Sequence, residues 1–162
     1  MWRMRGSDTV APAIMPQSSI LVPVDFEPAS GEALQWAEQL AKSLDAEVIL
    51  IHVAQPPMVS YPEVSPVMVS TLYKDLLAAA KRSLDDFAAQ SGGKRTLLRE
   101  GDAGVEVVRA AEEIQPVLVV MGTHGRRGLR RLLIGSVAEH VVRHSPVPVL
   151  TVHAPGGEGT PG

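Results

Sequence analysis

The chain of 162 residues contains no cysteine, few aromatic residues and no long apolar run. Without cysteine it can form no disulfide, no thiolate nucleophile and no cysteine-ligated zinc site. Aromatic residues make up only 4% of the chain, so valine, leucine, isoleucine and alanine must build the interior. Such an aliphatic core is typical of parallel strands covered by helices. No apolar stretch approaches the roughly 20 residues that cross a bilayer, which predicts a protein without a membrane span.

The overall charge is small, and it is distributed unevenly along the chain. The formal net charge is −3, which argues against general nucleic-acid binding. Residues 122–143 nevertheless carry five arginines and one glutamate, a net charge of +4 that leaves −7 for the rest of the chain. A short basic segment on an acidic protein suits a compact anion better than a long polyanion.

The two ends of the chain lack the patterns of structured elements. The start is basic, as in a signal peptide, but prolines and polar residues interrupt the apolar segment that a signal peptide requires. We therefore expect a flexible extension at 1–17, a single domain at 18–153 and a flexible tail at 154–162. The absence of cysteine fits a reducing compartment, and we expect a cytoplasmic protein.

Between the ends, short apolar runs alternate with apolar residues at helical spacing. The predicted strands cover 19–25, 47–53, 96–99, 117–121 and 147–152. The predicted helices start at Pro28, cover 68–89, run from Asp102 to Pro116 and cover 135–143. Four prolines between Gln55 and Pro66 predict an irregular loop.

This alternation of strands and helices predicts an α/β fold. The strands should form a parallel sheet, with right-handed crossovers and helices on both faces. Ligands bind such sheets beyond the carboxyl ends of the strands, where the strand order switches direction. The segments after Asp25 and after Met121 are therefore the first candidates for a binding site.

A glycine pattern follows the most apolar predicted strand. Gly122 and Gly125 are followed, after nine residues, by Gly135 and Ser136. Glycines let the backbone approach phosphate oxygens, and a helix start adds unpaired N–H donors. The Ser136 hydroxyl can bind a phosphate or a phosphate-bound metal ion. The same residues also suit ordinary turns, close packing and a helix cap, so the pattern alone leaves both interpretations open.

The stretch MGTHGRRGLRRLLIGSVAEHVVRHSPVPVLTV resembles the universal stress protein family, whose nucleotide-binding members carry this glycine pattern. The runs ILVPVDFEPAS and VILIHV are similar to the first two strands of that family, and the resemblance covers residues 18–152. It implies a Rossmann-like, adenine nucleotide alpha hydrolase-like sheet of five parallel strands in the order 3-2-1-4-5. It also implies an ATP-binding protein.

The resemblance further implies a role for individual positions. The residues implied to border the adenosine are Pro23, Val24, Asp25, Val53, Met121 and Gly122. The residues implied to hold the phosphates are Gly125, Gly135, Ser136 and Val137. Arg126 is a candidate phosphate contact, and Ser136 is the candidate ligand of a phosphate-bound Mg²⁺. Asp25 also has the place of a helix cap, and capping is compatible with ribose binding.

Two functions remain open at this point. One is a regulatory module whose ATP occupancy alters dimerisation or the choice of a protein partner that the sequence does not name. The other is a slow ATPase or phosphotransferase. Hydrolysis requires a group that orients water, and the phosphate segment contains no obvious carboxylate or glutamine for that task. We therefore favour the regulatory module over an enzyme.

The last predicted strand also suggests a homodimer, as does the family resemblance. Pro146, Pro148, Leu150 and Val152 share one edge of this strand. Because proline donates no hydrogen bond and is confined to edges and strand starts, we expect this edge to face away from the sheet. The N–H groups of Leu150 and Val152 would then pair with a second chain. The alternative is an edge that the prolines keep unpaired.

Overall fold

The computed structural model describes residues 18–56, 65–123 and 134–153. The predicted extension at 1–17, most of the predicted loop after Gln55, Gly125, Arg126 and the predicted tail at 154–162 lie outside these ranges. In the described ranges, no helix is long and apolar enough to cross a membrane.

Strands and helices alternate strictly along the described chain. The strands are β1 (Ser18–Pro23), β2 (Ala46–Ala54), β3 (Arg95–Glu100), β4 (Leu118–Gly122) and β5 (Val149–Val152). The helices are α1 (Pro28–Leu44), α2 (Pro66–Gln90), α3 (Ala103–Ile114) and α4 (Ser136–His144). Asp102 caps α3 as predicted, because its carboxylate accepts the N–H of Val105 at 3.0 Å.

The five strands form one parallel sheet in the order β3-β2-β1-β4-β5. This confirms the predicted fold class and strand order. Helices α1 and α2 pack on one face of the sheet, where Leu34 and Leu84 belong to the same apolar cluster. Helices α3 and α4 pack on the other face, where Val107 and Val141 belong to a second cluster. The sheet is therefore buried on both sides, and Leu21 in its central strand is fully buried.

Helix α2 is longer than the strands beside it. Its 25 residues span about 37 Å at 1.5 Å per residue, whereas the six residues of β3 span about 20 Å. The hydroxyl of Tyr73 donates to Glu100 Oε2 at 2.6 Å, which places Tyr73 level with the carboxyl end of β3. The first two turns of α2 therefore project beyond the carboxyl edge of the sheet.

The predicted orientation of the last strand is wrong. The carbonyl of Pro148 accepts the N–H of Val119 at 3.0 Å, and the carbonyl of Val152 accepts the N–H of Thr123 at 2.9 Å. The edge that contains Pro148, Leu150 and Val152 therefore faces β4. Pro148 is tolerated because it precedes the first residue of β5 and does not need to donate to the ladder.

The outer edge of β5, which faces away from β4, therefore carries the backbone groups of Val149 and Thr151. Since successive residues of a strand point to opposite sides, the N–H groups of Val149 and Thr151 face away from β4. In the part of the chain that the structure describes, β5 is the last strand of the sheet on this side. An edge for pairing with another chain exists, but it consists of different residues from those predicted.

Candidate functional site

The carboxyl ends of β1 and β4 lie side by side, and the strand order switches direction between them. From β1 the chain crosses to β2 on one side, whereas β4 and β5 lie on the other side. Parallel α/β sheets bind ligands in the crevice that such a switch opens. The segment after β1 and the segment after β4 both begin at this crevice, as the sequence analysis expects.

Asp25 follows β1 and fixes the turn into α1. Its Oδ1 accepts the hydroxyl of Ser30 at 2.6 Å and the N–H of Glu27 at 3.1 Å. The N–H of Asp25 donates to the same Ser30 hydroxyl at 3.0 Å. Asp25 thus holds the turn before α1, but it is not the helix cap that the capping alternative predicts. Glu27 is the N-cap residue, and Asp25 accepts from Glu27 and from the Ser30 hydroxyl instead of from an N–H group of the first helical turn. These bonds use Oδ1, so they are compatible with a ribose contact through Oδ2.

His52 and Phe26 hold the same turn from the side. The His52 Nδ1 lies 2.7 Å from the carbonyl oxygen of Val24. Because a carbonyl oxygen only accepts hydrogen bonds, Nδ1 carries the hydrogen and donates it. The ring of Phe26 packs on the His52 ring with centroids 4.6 Å apart and meets the Phe87 ring edge-on at 6.0 Å. Phe26 adopts a left-handed backbone with φ of 67°, a strained conformation for an aromatic residue that this packing stabilises.

Val53 presents its backbone to the space beyond the end of β1. The last ladder bond between the two strands runs from the Val24 N–H to the Ile51 carbonyl at 2.8 Å. Groups two residues apart in a strand point to the same side, so the N–H and carbonyl of Val53 also point toward β1. Since β1 ends at Pro23, these two groups face the crevice.

Gly122 ends β4 where no larger residue fits. A Cβ at this position would lie 2.7 Å from the Cβ of Ala29 and 3.1 Å from the Ala29 carbonyl oxygen. The start of α1 therefore packs directly against the end of β4. Gly122 brings the segments that follow β1 and β4 together at the crevice.

Thr123 joins three parts of the fold. It is 1% exposed, and its carbonyl accepts the N–H of Gly135 at 2.6 Å. Its N–H donates to Val152 at the end of β5, and its hydroxyl lies 2.7 Å from the Nδ1 of His153. The end of β4, the start of α4 and the end of β5 are thus held at one residue.

Helix α4 begins at the crevice, and no side chain among the described residues caps its start. Its N-cap residue is Gly135, which brings no capping oxygen to the first N–H groups of the helix. Ser136 is exposed at the first helical position, and Val137 packs against the α3–α4 cluster. The acidic residue of the first turn, Glu139, is paired with Arg143 at 3.0 Å. The helix start therefore suits an anion, which its dipole favours.

Among the predicted site residues, the side chains of Val24 and Met121 are buried in the core. Only their backbone groups reach the carboxyl edge of the sheet. Five other predicted residues lie at the crevice itself: Asp25, Val53, Gly122, Gly135 and Ser136. The sequence analysis missed His52, Phe26 and Thr123. A histidine within the apolar run VILIHV is the signal that points to His52, because a polar side chain in a buried strand requires a partner.

Two other features of the molecule lie outside the crevice. His140 and His144 stack at 4.3 Å on α4, but the described residues contain no group of three side chains that suits a metal ion. A cleft of about 610 Å³ lies at the opposite edge of the sheet, between the end of α1 and the start of β3. Its Lys94 and Arg95 are paired with Glu38 and Glu47, so these cations are already neutralised.

The chain is similar to one family and to several of its members. A model of the Universal stress protein family matches residues 18–153. Universal stress protein MJ0531 from Methanocaldococcus jannaschii is 39% identical over 142 residues, which cover 86% of this chain and 84% of that protein. The structure of MJ0577 from the same organism superimposes with a TM-score of 0.74 at 28% identity and covers 88% of this chain and all of that one.

A further solved structure shows a universal stress protein in complex with cAMP. It shares the fold with a TM-score of 0.57 at 24% identity, and the match covers 87% of this chain and all of that one.

Proposed function

The chain belongs to the universal stress protein family, and from that premise we propose that it is a regulatory module that binds ATP with Mg²⁺. The proposed site is the crevice at the carboxyl ends of β1 and β4. The observation that carries the proposal is the bond between Gly135 and Thr123, which holds the start of α4 beside the end of β4. An uncapped helix start at the strand switch point is a site for phosphate.

The backbone of Val53 supports adenine as the base. Adenine offers an acceptor at N1 and a donor at N6, which complement a backbone N–H and a backbone carbonyl. Guanine presents the opposite pattern, with an acceptor at O6 and a donor at N1. The cAMP in one structure of the family is also an adenine nucleotide, and the proposal extends this ligand class to the present chain.

The residues of α4 support the phosphate and metal parts of the proposal. Because the Gly135 N–H is bonded to Thr123, the helix start offers the backbone N–H groups of Ser136 and Val137 to a phosphate. The exposed Ser136 hydroxyl fits the oxygen ligands that Mg²⁺ prefers. Bound Mg²⁺ would neutralise phosphate charge. The predicted phosphate contacts Gly125 and Arg126 lie outside the described residues and remain part of the proposal, as does the cytoplasmic location.

Calorimetry with wild-type protein and two glycine variants tests the site. Gly135→Glu places a side chain and a negative charge against the phosphates, so we expect it to abolish ATP binding. Gly31→Glu is the matched control, because a Cβ at Gly31 in α1 meets nothing within 4 Å. Unchanged ATP affinity in a folded Gly135→Glu variant would show that the site is elsewhere. Parallel titrations with GTP and cAMP test the choice of base and of phosphate.

The rate of ATP hydrolysis distinguishes the regulatory module from the slow ATPase. Asp25 is tied to the turn before α1 and lies at the predicted sugar end of the site. We expect at most about one ATP per minute, far below the usual enzyme range of roughly 1–1000 per second. A rate above one per second that Ser136→Ala removes would favour the enzyme.

The proposal also includes a homodimer formed through the outer edge of β5. The N–H groups of Val149 and Thr151 point outward there and suit antiparallel pairing with a second copy. The net charge of −3 makes nucleic acid an unsuitable partner.

A further inference from the structure

His52 supplies a hydrogen bond at the point where β1 leaves the sheet. If the ladder between β1 and β2 continued, the Val24 carbonyl would accept the N–H of Val53. Instead, this carbonyl accepts the His52 Nδ1–H at 2.7 Å. Within the described residues, no hydrogen bond joins the Val24 carbonyl to Val53. The imidazole has therefore replaced the next backbone donor of the ladder.

Phe26 keeps the turn in this geometry. Its left-handed backbone reverses the chain immediately after Asp25, and its ring covers the His52 ring at 4.6 Å. Phe87 of α2 closes the other side of the Phe26 ring. The imidazole is half-buried, and its orientation is set by the bond to Val24 and by the Phe26 ring. A residue so constrained can determine where a neighbouring backbone group points.

We infer that His52, held by Phe26, is a positioning residue for base recognition: it draws the Val24 carbonyl aside and leaves the Val53 N–H for the edge of adenine. This inference rests on the proposed function. His52 itself touches no ligand. It acts through Val24 and Val53, so it should affect recognition of the base but not of the phosphates.

Two substitutions at His52 separate the hydrogen bond from the volume of the side chain. His52→Leu removes the donor, so the Val24 carbonyl can take the Val53 N–H. His52→Asn keeps a donor nitrogen on Cγ, where the Nδ1 of histidine is attached. We expect His52→Leu to weaken ATP binding about tenfold and to reduce the preference for ATP over GTP, since an unpaired polar edge is what rejects the wrong base. His52→Asn should restore both within about threefold.

The affinity for inorganic tripolyphosphate separates two explanations for weaker ATP binding. A general structural defect in His52→Leu would lower this affinity, whereas loss of base positioning alone would not. Tripolyphosphate is expected to bind wild type and His52→Leu equally, because it contacts only the phosphate part of the site. Phe87→Leu is the packing control: it loosens the support of the Phe26 ring but leaves the His52 donor in place, so its effect on base preference should be smaller than that of His52→Leu.

Each other outcome has a defined meaning. The inference is overturned if His52→Leu binds ATP as wild type does, if it loses ATP and tripolyphosphate alike, or if His52→Asn behaves as His52→Leu does. A Phe87→Leu variant that matches the base-specific loss of His52→Leu would also overturn it. If wild type binds neither ATP nor tripolyphosphate, the proposed function itself fails. If wild type binds ATP and the His52 variants bind it equally well, the proposed function stands and only the role of His52 is excluded.

Discussion

At the scale of the residue, Gly122 shows how packing and site geometry meet in one position. The family resemblance assigns Gly122 a place near the ribose, whereas the structure gives it a contact with Ala29 of α1. Any side chain there would push the end of β4 away from the start of α1. The requirement for glycine at this position comes from the close approach of two elements.

Gly122→Ala should therefore destabilise the domain. The new methyl group would lie 2.7 Å from the Cβ of Ala29, so backbone must move. Overpacking of this kind costs about 1–3 kcal/mol of the free energy of unfolding. Urea denaturation measures the change. Gly31→Ala on α1 is the control and should be neutral or stabilising by up to about 1 kcal/mol. Equal stability of the two variants would contradict the packing role of Gly122.

Single residues also show which parts of the site the sequence can and cannot predict. Asp25 can be identified from the sequence because a carboxylate that ends an apolar run is conspicuous. Its contacts hold the turn before α1 instead of capping the helix, and they are compatible with a ribose contact. The bond from His52 to Val24 joins residues 28 positions apart in the chain and depends on strand register. Periodicity in one sequence carries no information about such a contact.

At the scale of the element, the contact between Tyr73 and Glu100 joins the projecting start of α2 to the end of β3. The hydrogen bond to Glu100 raises the pKa of Tyr73, with contributions from burial and from the negative charge of the carboxylate. Because the folded pKa is raised, the contact stabilises the fold below the ordinary tyrosine pKa of about 10. This stabilisation is lost as the pH rises through the folded pKa.

Glu100→Gln should lower the pKa of Tyr73 toward its ordinary value. The substitution removes the negative charge and the strongest acceptor for the phenol. Alkaline titration followed by tyrosinate absorbance measures the shift. Because the chain has only two tyrosines, a Tyr61→Phe background isolates the signal of Tyr73. Identical titration curves with and without Glu100→Gln would show that the contact is not formed in solution.

Most elements could be predicted because proline and glycine mark their ends. Pro28 starts α1, and the left-handed Gly92 and Gly93 follow α2, as expected from the sequence. The predicted end of β1 lies two residues beyond the observed one, because Val24 continues the apolar run as far as Asp25 although the strand ends at Pro23. A run of apolar residues indicates which residues are buried. Here Val24 is buried although it lies beyond the end of β1.

At the scale of the whole molecule, the outer edge of β5 is the place where we propose that a second copy pairs. Proline is found at sheet edges and at strand starts, and the sequence could not distinguish these two explanations for Pro148. The hydrogen bond from Val119 to the Pro148 carbonyl selects the strand start. The edge available to a partner therefore carries Val149 and Thr151.

Proline substitutions on the two edges of β5 should affect different properties, the dimer on the outer edge and the stability of the domain on the inner edge. Thr151→Pro removes an outward N–H, so we expect a weaker dimer with a domain that stays folded. Leu150→Pro removes an N–H that faces β4, so we expect a lower melting temperature. Light scattering and thermal unfolding measure the two effects. A monomeric wild type, or a Thr151→Pro dimer as strong as wild type, would exclude pairing through this edge.

The bond between Gly135 and Thr123 has a consequence for how the family can diversify. It joins the residues on either side of positions 124–134, and so holds the end of β4 and the start of α4 together at the base of this segment. The entropy cost of closing a loop grows by only about 0.6 kcal/mol for each doubling of its length. Insertions, deletions and exchanges within the segment should therefore cost the domain little stability. After gene duplication, one copy can acquire a new ligand preference by changing this segment while the scaffold stays intact.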